Sequence, residues 1–194
     1  MIVCAFATAF VSCLEFVACV YVLGEQLPCR SMLAIAAAVF SVLLILTGAF
    51  KIVRPHDVQR ALVTLGMPRM PGIGIAIGVV ELAIGIGALL IPFFLFAQAT
   101  LYSLFAVWVA VALRSSVPIA SCGCLGRADT PPTAAHIVLN VVAAVVSFGA
   151  VFGAPLASES GLAAVASIVV IATGVFLSYI ILTDAAHLEG VRRT

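Results

Sequence analysis

The stretch GIGIAIGVVELAIGIGALLI, residues 72–91, decides the class of fold. Glu81 is its only charged residue, and every other position is apolar or glycine. A helix needs about 20 mostly apolar residues to cross roughly 30 Å of hydrocarbon. The stretch therefore predicts a transmembrane helix.

Composition extends this prediction to the whole chain. Of its 194 residues, 64% are hydrophobic and only 9% are charged. Soluble domains are about 45–50% apolar and about 25% charged, and a soluble fold of the present composition would expose large apolar patches. We therefore expect an integral membrane protein in contact with a lipid bilayer. The formal net charge of +1 predicts no basic surface for nucleic acid.

Further apolar stretches predict an all-α, polytopic membrane helix bundle of about six transmembrane helices. Proline and glycine separate most of them. The first stretch lacks a basic n-region and a small-residue cleavage site, so we expect a retained helix rather than a signal peptide. The six stretches are Ile2–Gly24, Met32–Phe50, Gly72–Ile91, Phe93–Leu113, Ala134–Gly153 and Gly161–Leu182.

The basic residues predict an orientation. Alternating spans place the N-terminus, loops 51–71 and 114–133 and the C-terminal tail on one side of the membrane. That side holds eight of the nine basic residues, and the other side holds only Arg30. The positive-inside rule then places both termini and the loop around Cys122 and Cys124 on the cytoplasmic side of a bacterial inner membrane.

Glu81 is the charge that most needs an explanation. Gly74, Gly78, Glu81 and Gly85 recur at steps of three and four, which places them on one helical face. The G-x-x-x-G pair lets helices approach closely, so Glu81 is expected to point into the bundle. Two roles stay open: a carboxyl that accepts protons or binds a quinone headgroup, or a structural hydrogen-bonded carboxyl. A quinone is the only cofactor suggested, and no motif requires one.

The sequence also predicts the positions of three other polar residues in or beside the spans. Lys51 closes the second span and is expected to snorkel to the membrane interface. His136 and Asn140 are four residues apart and are expected to share a helix face near the membrane surface.

The most compact chemical motif is SCGCLG, residues 121–126. Two thiols separated by a glycine can cycle between a dithiol and a disulfide, or bind a soft metal. Arg114 and Arg127 would favour the reactive thiolate. Three interpretations stay open: a redox pair of Cys122 and Cys124, a metal site of both cysteines with His136, and a structural turn.

The order of these features resembles a known family. TGAFK (47–51) and LGMP (65–68) precede the glycine-rich helix with Glu81, and CGCLG (122–126) precedes a helix bearing Asn140. This order resembles the MauE branch of the DoxX-like membrane proteins, named for methylamine utilisation. The resemblance divides the chain into an extra N-terminal helix and loop (1–31), a DoxX-like four-helix core (32–153), and a final helix and tail (154–194).

The resemblance implies a redox-associated membrane protein. MauE is associated with maturation of methylamine dehydrogenase, whose small subunit is rich in disulfides. The implied partners are a thioredoxin-like or peroxiredoxin-like protein, or a disulfide-rich client, and the activity would resemble that of a thiol–disulfide oxidoreductase. By position, the family's marked residues are Lys51, Glu81, Cys122, Cys124 and Asn140. A non-catalytic assembly subunit and a protein that handles metal or small solutes are the alternatives.

The implied activity and the predicted orientation disagree. Disulfide formation in an exported subunit belongs outside the cytoplasm, whereas the charge distribution places Cys122 and Cys124 inside. Either the charge rule fails for this chain, or the pair takes electrons from cytoplasmic thiols. In the second case Cys19 and Cys29 would receive them on the far side.

Overall fold

A computed structural model describes residues 27–64, 66, 68–114, 133–152 and 167–180. The described residues contain no strand, so the prediction of an all-α fold is confirmed. They form six helices: α1 (Leu27–Val53), α2 (Pro55–Thr64), α3 (Ile73–Leu90), α4 (Phe94–Arg114), α5 (Ala134–Ala150) and α6 (Ser167–Ile180).

Three of these helices are long and apolar enough to cross a membrane: α1 over Leu33–Val53, α3 and α4. Helices α5 and α6 are apolar but shorter. All five overlap predicted spans, and the predicted first span, Ile2–Gly24, lies outside the described residues. The protein is therefore a membrane helix bundle. Its amphipathic α2 lies in the loop predicted between the second and third spans.

The contacts between α1 and α3 fix their relative direction. Residues that come later along α1 contact residues that come earlier along α3, so the two helices are antiparallel. The close approaches join Ser41 with Gly85, Gly48 with Gly78, and Pro55, just after α1, with Gly74.

A three-residue turn reverses the chain between α3 and α4. The backbone N–H of Ile91 donates to the carbonyl of Gly87 at 2.8 Å, and that of Phe94 donates to Ile91 at 3.0 Å. The single proline at position 92 therefore lies in the turn between two antiparallel helices.

Helices α4 and α5 are also antiparallel. The ring of Phe96, near the start of α4, meets that of Phe148, near the end of α5, with centroids 5.7 Å apart. Consequently α1 and α4 end, and α3 and α5 begin, at one end of the bundle, which we call the Arg114 end. Segment 115–132, which contains the cysteine motif and which we call the thiol segment, follows α4 and precedes α5, so the chain enters and leaves it at the Arg114 end.

Gln98 ties α4 to two neighbouring helices. Its side chain is fully buried. The amide oxygen accepts from Ser41 Oγ at 2.8 Å, and the amide nitrogen donates to Ser147 Oγ at 2.9 Å and to the carbonyl of Ala37 at 3.2 Å. Apolar residues of α1, α4 and α5, including Leu44 and Tyr102, pack around this network.

The glycine face of α3 forms its contact with α1. The buried residues of α3 are Gly74, Gly78, Glu81 and Gly85, which confirms the predicted face. A Cβ atom on Gly78 would lie 2.6 Å from the carbonyl oxygen of Gly48, and one on Gly48 would lie 2.7 Å from that of Gly78. Backbone thus meets backbone here, and no side chain fits between.

Gly78→Ala is expected to destabilise the bundle because a methyl group must separate two backbones. Overpacking of this kind costs about 1–3 kcal/mol. Gly149→Ala is the matched control: it is also helical, and the atoms nearest to its added Cβ lie at 3.7 Å. The control should be neutral or slightly stabilising, because alanine favours helix over glycine. Unfolding by a denaturing detergent measures both; equal stabilities would contradict the tight contact.

Candidate functional site

A buried ion pair joins α1 to α3. Glu81 is 0% exposed and Lys51 is 5% exposed. Lys51 Nζ lies 2.7 Å from Glu81 Oε1 and 2.8 Å from Oε2, and Thr47 Oγ1 donates to Oε2 at 3.2 Å. The glycine contact one turn away brings the helix axes close enough for these side chains to meet. Both carboxylate oxygens are thereby satisfied.

The prediction that Lys51 snorkels to the interface is wrong. Its ammonium turns inward because an unpaired carboxylate in the bundle would be costly, and a hydrogen-bonded partner removes much of that cost. Lys51 therefore does not belong with the basic residues of the membrane surface. Without it, the charge distribution is seven basic residues against Arg30.

Aromatic side chains of α4 pack beside the ion pair. Lys51 Nζ lies 5.5 Å from the ring centroid of Phe105, a distance at which a cation is attracted to the ring face. Tyr102 donates its hydroxyl to the carbonyl of Phe40 at 2.6 Å, and its ring meets that of Phe105 edge-on at 6.3 Å. The pair is thus enclosed by glycine backbone on one side and by aromatic rings on another.

A cavity of about 620 Å³ lies between α2, α3 and α4, and we call it the α2–α4 cleft. Among the described residues, Lys51 is the only charged one that lines it, and its ammonium is bonded to Glu81. Trp108 also lines the cleft. The remaining lining side chains are apolar: Val58, Ala61, Leu62, Ala76, Ile77, Val80, Leu101, Leu104, Phe105, Val107 and Val111. The surface of the cleft is therefore almost entirely apolar.

His136 opens α5 in a buried position, with 2% of its surface exposed. Its Nδ1 lies 2.8 Å from Thr133 Oγ1 and 3.3 Å from the backbone nitrogen of Thr133. Nε2 is buried and has no hydrogen-bond partner in the described part of the chain. Because the backbone N–H of Thr133 can only donate, Nδ1 accepts, and in the neutral ring Nε2 carries the proton and is a donor.

The structure describes only some of the other predicted site residues. Asn140 donates from Nδ2 to the carbonyl of His136 at 2.7 Å, so these two residues do share a face. Cys122 and Cys124 lie outside the described residues. Among the described residues, no three His, Cys, Asp or Glu side chains are grouped as metal ligands.

Sequence reasoning missed two features of the site. Gly48 and Thr47 precede Lys51 by three and four residues, so all three lie on one face of α1. Gly78 and Glu81 of α3 are also three residues apart. The matching patterns were therefore a signal in the sequence that α1 and α3 pair. Gln98 is an isolated amide in an apolar span, and nothing in its neighbourhood along the chain predicted its partners.

Removing one partner of the ion pair is expected to destabilise the protein strongly. Lys51→Met or Glu81→Gln alone disrupts a buried pair, which costs about 3–5 kcal/mol. The double variant should lose less than the sum, because no unpaired charge remains buried. Detergent-induced unfolding of all four proteins measures this coupling.

Arg60→Met is the control for this cycle. Arg60 is 74% exposed and contacts Asp57 at 2.9 Å, and exposed pairs contribute at most about 1 kcal/mol. Additive losses in the double variant, or a loss for Lys51→Met no larger than for Arg60→Met, would contradict a coupled buried pair.

The family comparison covers the helices that form this site. Residues 29–155 match the family described as methylamine utilisation protein MauE. This range contains the ion pair, the α2–α4 cleft and the cysteine motif. Comparisons with curated proteins and with solved structures gave no match, and the wider DoxX-like relationship stays a prediction. Because the match covers well over half of the chain, this membrane helix bundle belongs to the MauE family.

Proposed function

We propose that this protein carries out thiol–disulfide exchange at a membrane surface and thereby supports maturation of a disulfide-containing partner. The observation that carries the proposal is the Cys122-Gly123-Cys124 motif within the family match. In the oxidising direction, a partner thiolate attacks the Cys122–Cys124 disulfide and forms a mixed disulfide. A second partner thiol then displaces the bound cysteine. The partner gains a disulfide, and the pair becomes a dithiol.

The described helices supply fixed attachment points for the thiol segment. It leaves α4 after Arg114 and enters α5 at Thr133. Contacts between Phe96 and Phe148, and between Gln98 and Ser147, hold these two helices together. Arg114 is a basic residue in the last turn of α4, and a nearby guanidinium favours the thiolate form of a cysteine.

The contacts of Glu81 favour its structural role within this proposal. Both of its oxygens are paired, and the side chain is completely buried. A carboxyl that exchanges protons with a substrate needs an accessible oxygen, whereas one that fixes two helices does not. We therefore assign Glu81 and Lys51 to positioning the helices around the site.

A metal site is the second candidate, because His136 Nε2 is buried and has no hydrogen-bond partner among the described residues. Two thiolates and one imidazole form a Cys₂His ligand set that suits zinc. To bind zinc, Nε2 would have to lose its proton, with Nδ1 becoming protonated and donating to the Thr133 hydroxyl instead of accepting from the Thr133 backbone N–H. Stoichiometric zinc in the purified protein, lost in His136→Phe, would favour this candidate; metal-free protein with full activity would exclude it.

The thiol pair is expected to change redox state as a unit. The purified protein would be equilibrated in graded thiol–disulfide buffers, alkylated, and analysed by mass spectrometry. Cys122 and Cys124 should pass together from two alkylated thiols to a disulfide, a two-electron transition. Cys122→Ser should abolish that transition, and Cys13→Ser should leave it unchanged. A pair that stays in one state across all buffers would refute the exchange function.

The orientation of the pair is expected to follow the seven-to-one charge distribution. A membrane-impermeant maleimide added to intact cells should leave Cys124 unlabelled, and permeabilisation should allow labelling. A variant lacking the other five cysteines gives an unambiguous signal. Labelling of Cys124 in intact cells would instead place the thiols outside, directly accessible to an exported client.

A further inference from the structure

We propose that exposed arginines at the Arg114 end bind anionic glycerophospholipids and hold the phosphate of the lipid headgroup. These residues are Arg54, Arg60, Arg69 and Arg114, and we call them the arginine surface. The proposal is independent of the thiol–disulfide function. Position, charge and the neighbouring apolar side chains support it.

The four arginines come from separate parts of the sequence and meet at one end of the bundle. Arg54 directly follows α1, and Arg114 ends α4. Arg60 lies on α2, and Arg69 lies shortly before the start of α3. Because α1 and α4 end and α3 begins at the Arg114 end, all four residues belong to it. All four are exposed.

Helix α2 extends the arginine surface across this end of the bundle. It begins at Pro55, which contacts Gly74 of α3. Further along α2, Ala61 lines the same cleft as Val111 of α4. The helix therefore runs from the α1–α3 contact towards the end of α4. Its exposed face, which carries Arg60, connects the arginines that lie at the ends of α1 and α4.

The acidic residues of the described chain do not neutralise this surface. Asp57 and Glu81 are the only two in the described ranges, and Glu81 is paired with Lys51. Asp57 accepts one bond, from Arg60 Nη2 at 2.9 Å, whereas a guanidinium has five N–H donors. The surface therefore has an excess of positive charge and of donors. A phosphate complements both, because arginine can donate two parallel bonds to its oxygens.

Exposed apolar side chains beside the arginines indicate a lipid rather than a soluble anion. Val53, Val63 and Met70 are 75%, 42% and 43% exposed. Two of them adjoin an arginine in the sequence, and Val63 lies on the same face of α2 as Arg60. A helix at a membrane interface combines such groups, because its apolar side chains reach the acyl boundary while its cations meet anionic headgroups.

The opposite end of the bundle has a different surface. Its turn between α3 and α4 is uncharged and exposes Ile91 and Phe93 by 51% and 73%. Among the described helices, only Arg30, in the first turn of α1, is a basic residue at that end. Exposed arginines are therefore concentrated at one end, as a phosphate-binding surface requires, and Arg30 offers a control.

Native mass spectrometry of the full-length protein in a neutral detergent measures the proposed binding. Dioleoyl-phosphatidylglycerol and dioleoyl-phosphatidylcholine would be titrated separately. They share their tails and a phosphate, but only phosphatidylcholine carries a compensating cation. We expect phosphatidylglycerol to bind more tightly, because the arginine surface attracts a headgroup with a net negative charge.

A triple variant, with Arg54→Gln, Arg69→Gln and Arg114→Gln, removes most of the surface charge. It should weaken phosphatidylglycerol binding about tenfold or more, since each arginine near anionic lipid contributes about fivefold in affinity. Binding of phosphatidylcholine should change little. Arg30→Gln makes the same substitution at the opposite end and should bind both lipids as the unmodified protein does. If the triple variant fails to fold, Arg54→Gln and Arg69→Gln alone should each give about a fivefold loss.

Four outcomes overturn the proposal. Equal affinities for the two lipids exclude recognition of net charge, and an equal loss in Arg30→Gln places the lipid elsewhere. Displacement of phosphatidylglycerol by inorganic phosphate shows a site for a soluble anion. Arginine-dependent binding of polyglutamate without a preference for phosphatidylglycerol assigns the surface to an acidic protein. A phosphatidylglycerol preference that the triple variant loses, Arg30→Gln keeps and inorganic phosphate does not displace supports the arginine surface.

Discussion

The buried pairing of Lys51 with Glu81 is the constraint on which the described bundle depends. A carboxylate among apolar helices needs a partner, and its partner must come from a helix close enough to reach it. The glycine contact between α1 and α3 supplies that closeness, because Gly48 and Gly78 bring backbone against backbone. Packing and electrostatics therefore fix the same interface.

Polar contacts hold the other half of the bundle in a similar way. Lipid tails are as apolar as leucine, so burial of apolar surface contributes little to helix association in a membrane. Small residues and interhelical hydrogen bonds contribute instead. Gln98 links α4 to Ser41 of α1 and Ser147 of α5. Helix α3 is held mainly by α1, and this arrangement leaves space between α3 and α4 for the α2–α4 cleft.

The sequence alone predicted the features that follow from periodicity and composition. Spans and the glycine face of α3 arise from local spacing. The structure confirms the glycine face, and three of the six predicted spans are described helices long and apolar enough to cross a membrane. The inward turn of Lys51 depended on a contact thirty residues away, and a lysine at the end of a span fits either environment. The partners of Gln98 and the cleft likewise depend on how helices meet. Cys122 and Cys124 were identified by their chemistry, and their roles stay predictions.

The burial of Lys51 bears on the conflict between orientation and function. Loss of one surface cation still leaves a seven-to-one charge distribution, so the positive-inside signal does not depend on this residue. With the thiols on the cytoplasmic side, export of electrons through Cys19 and Cys29 would require a path across the whole membrane. The seven-to-one distribution therefore predicts a partner on the cytoplasmic side, and the side on which segment 115–132 lies decides which compartment's thiols the pair can reach.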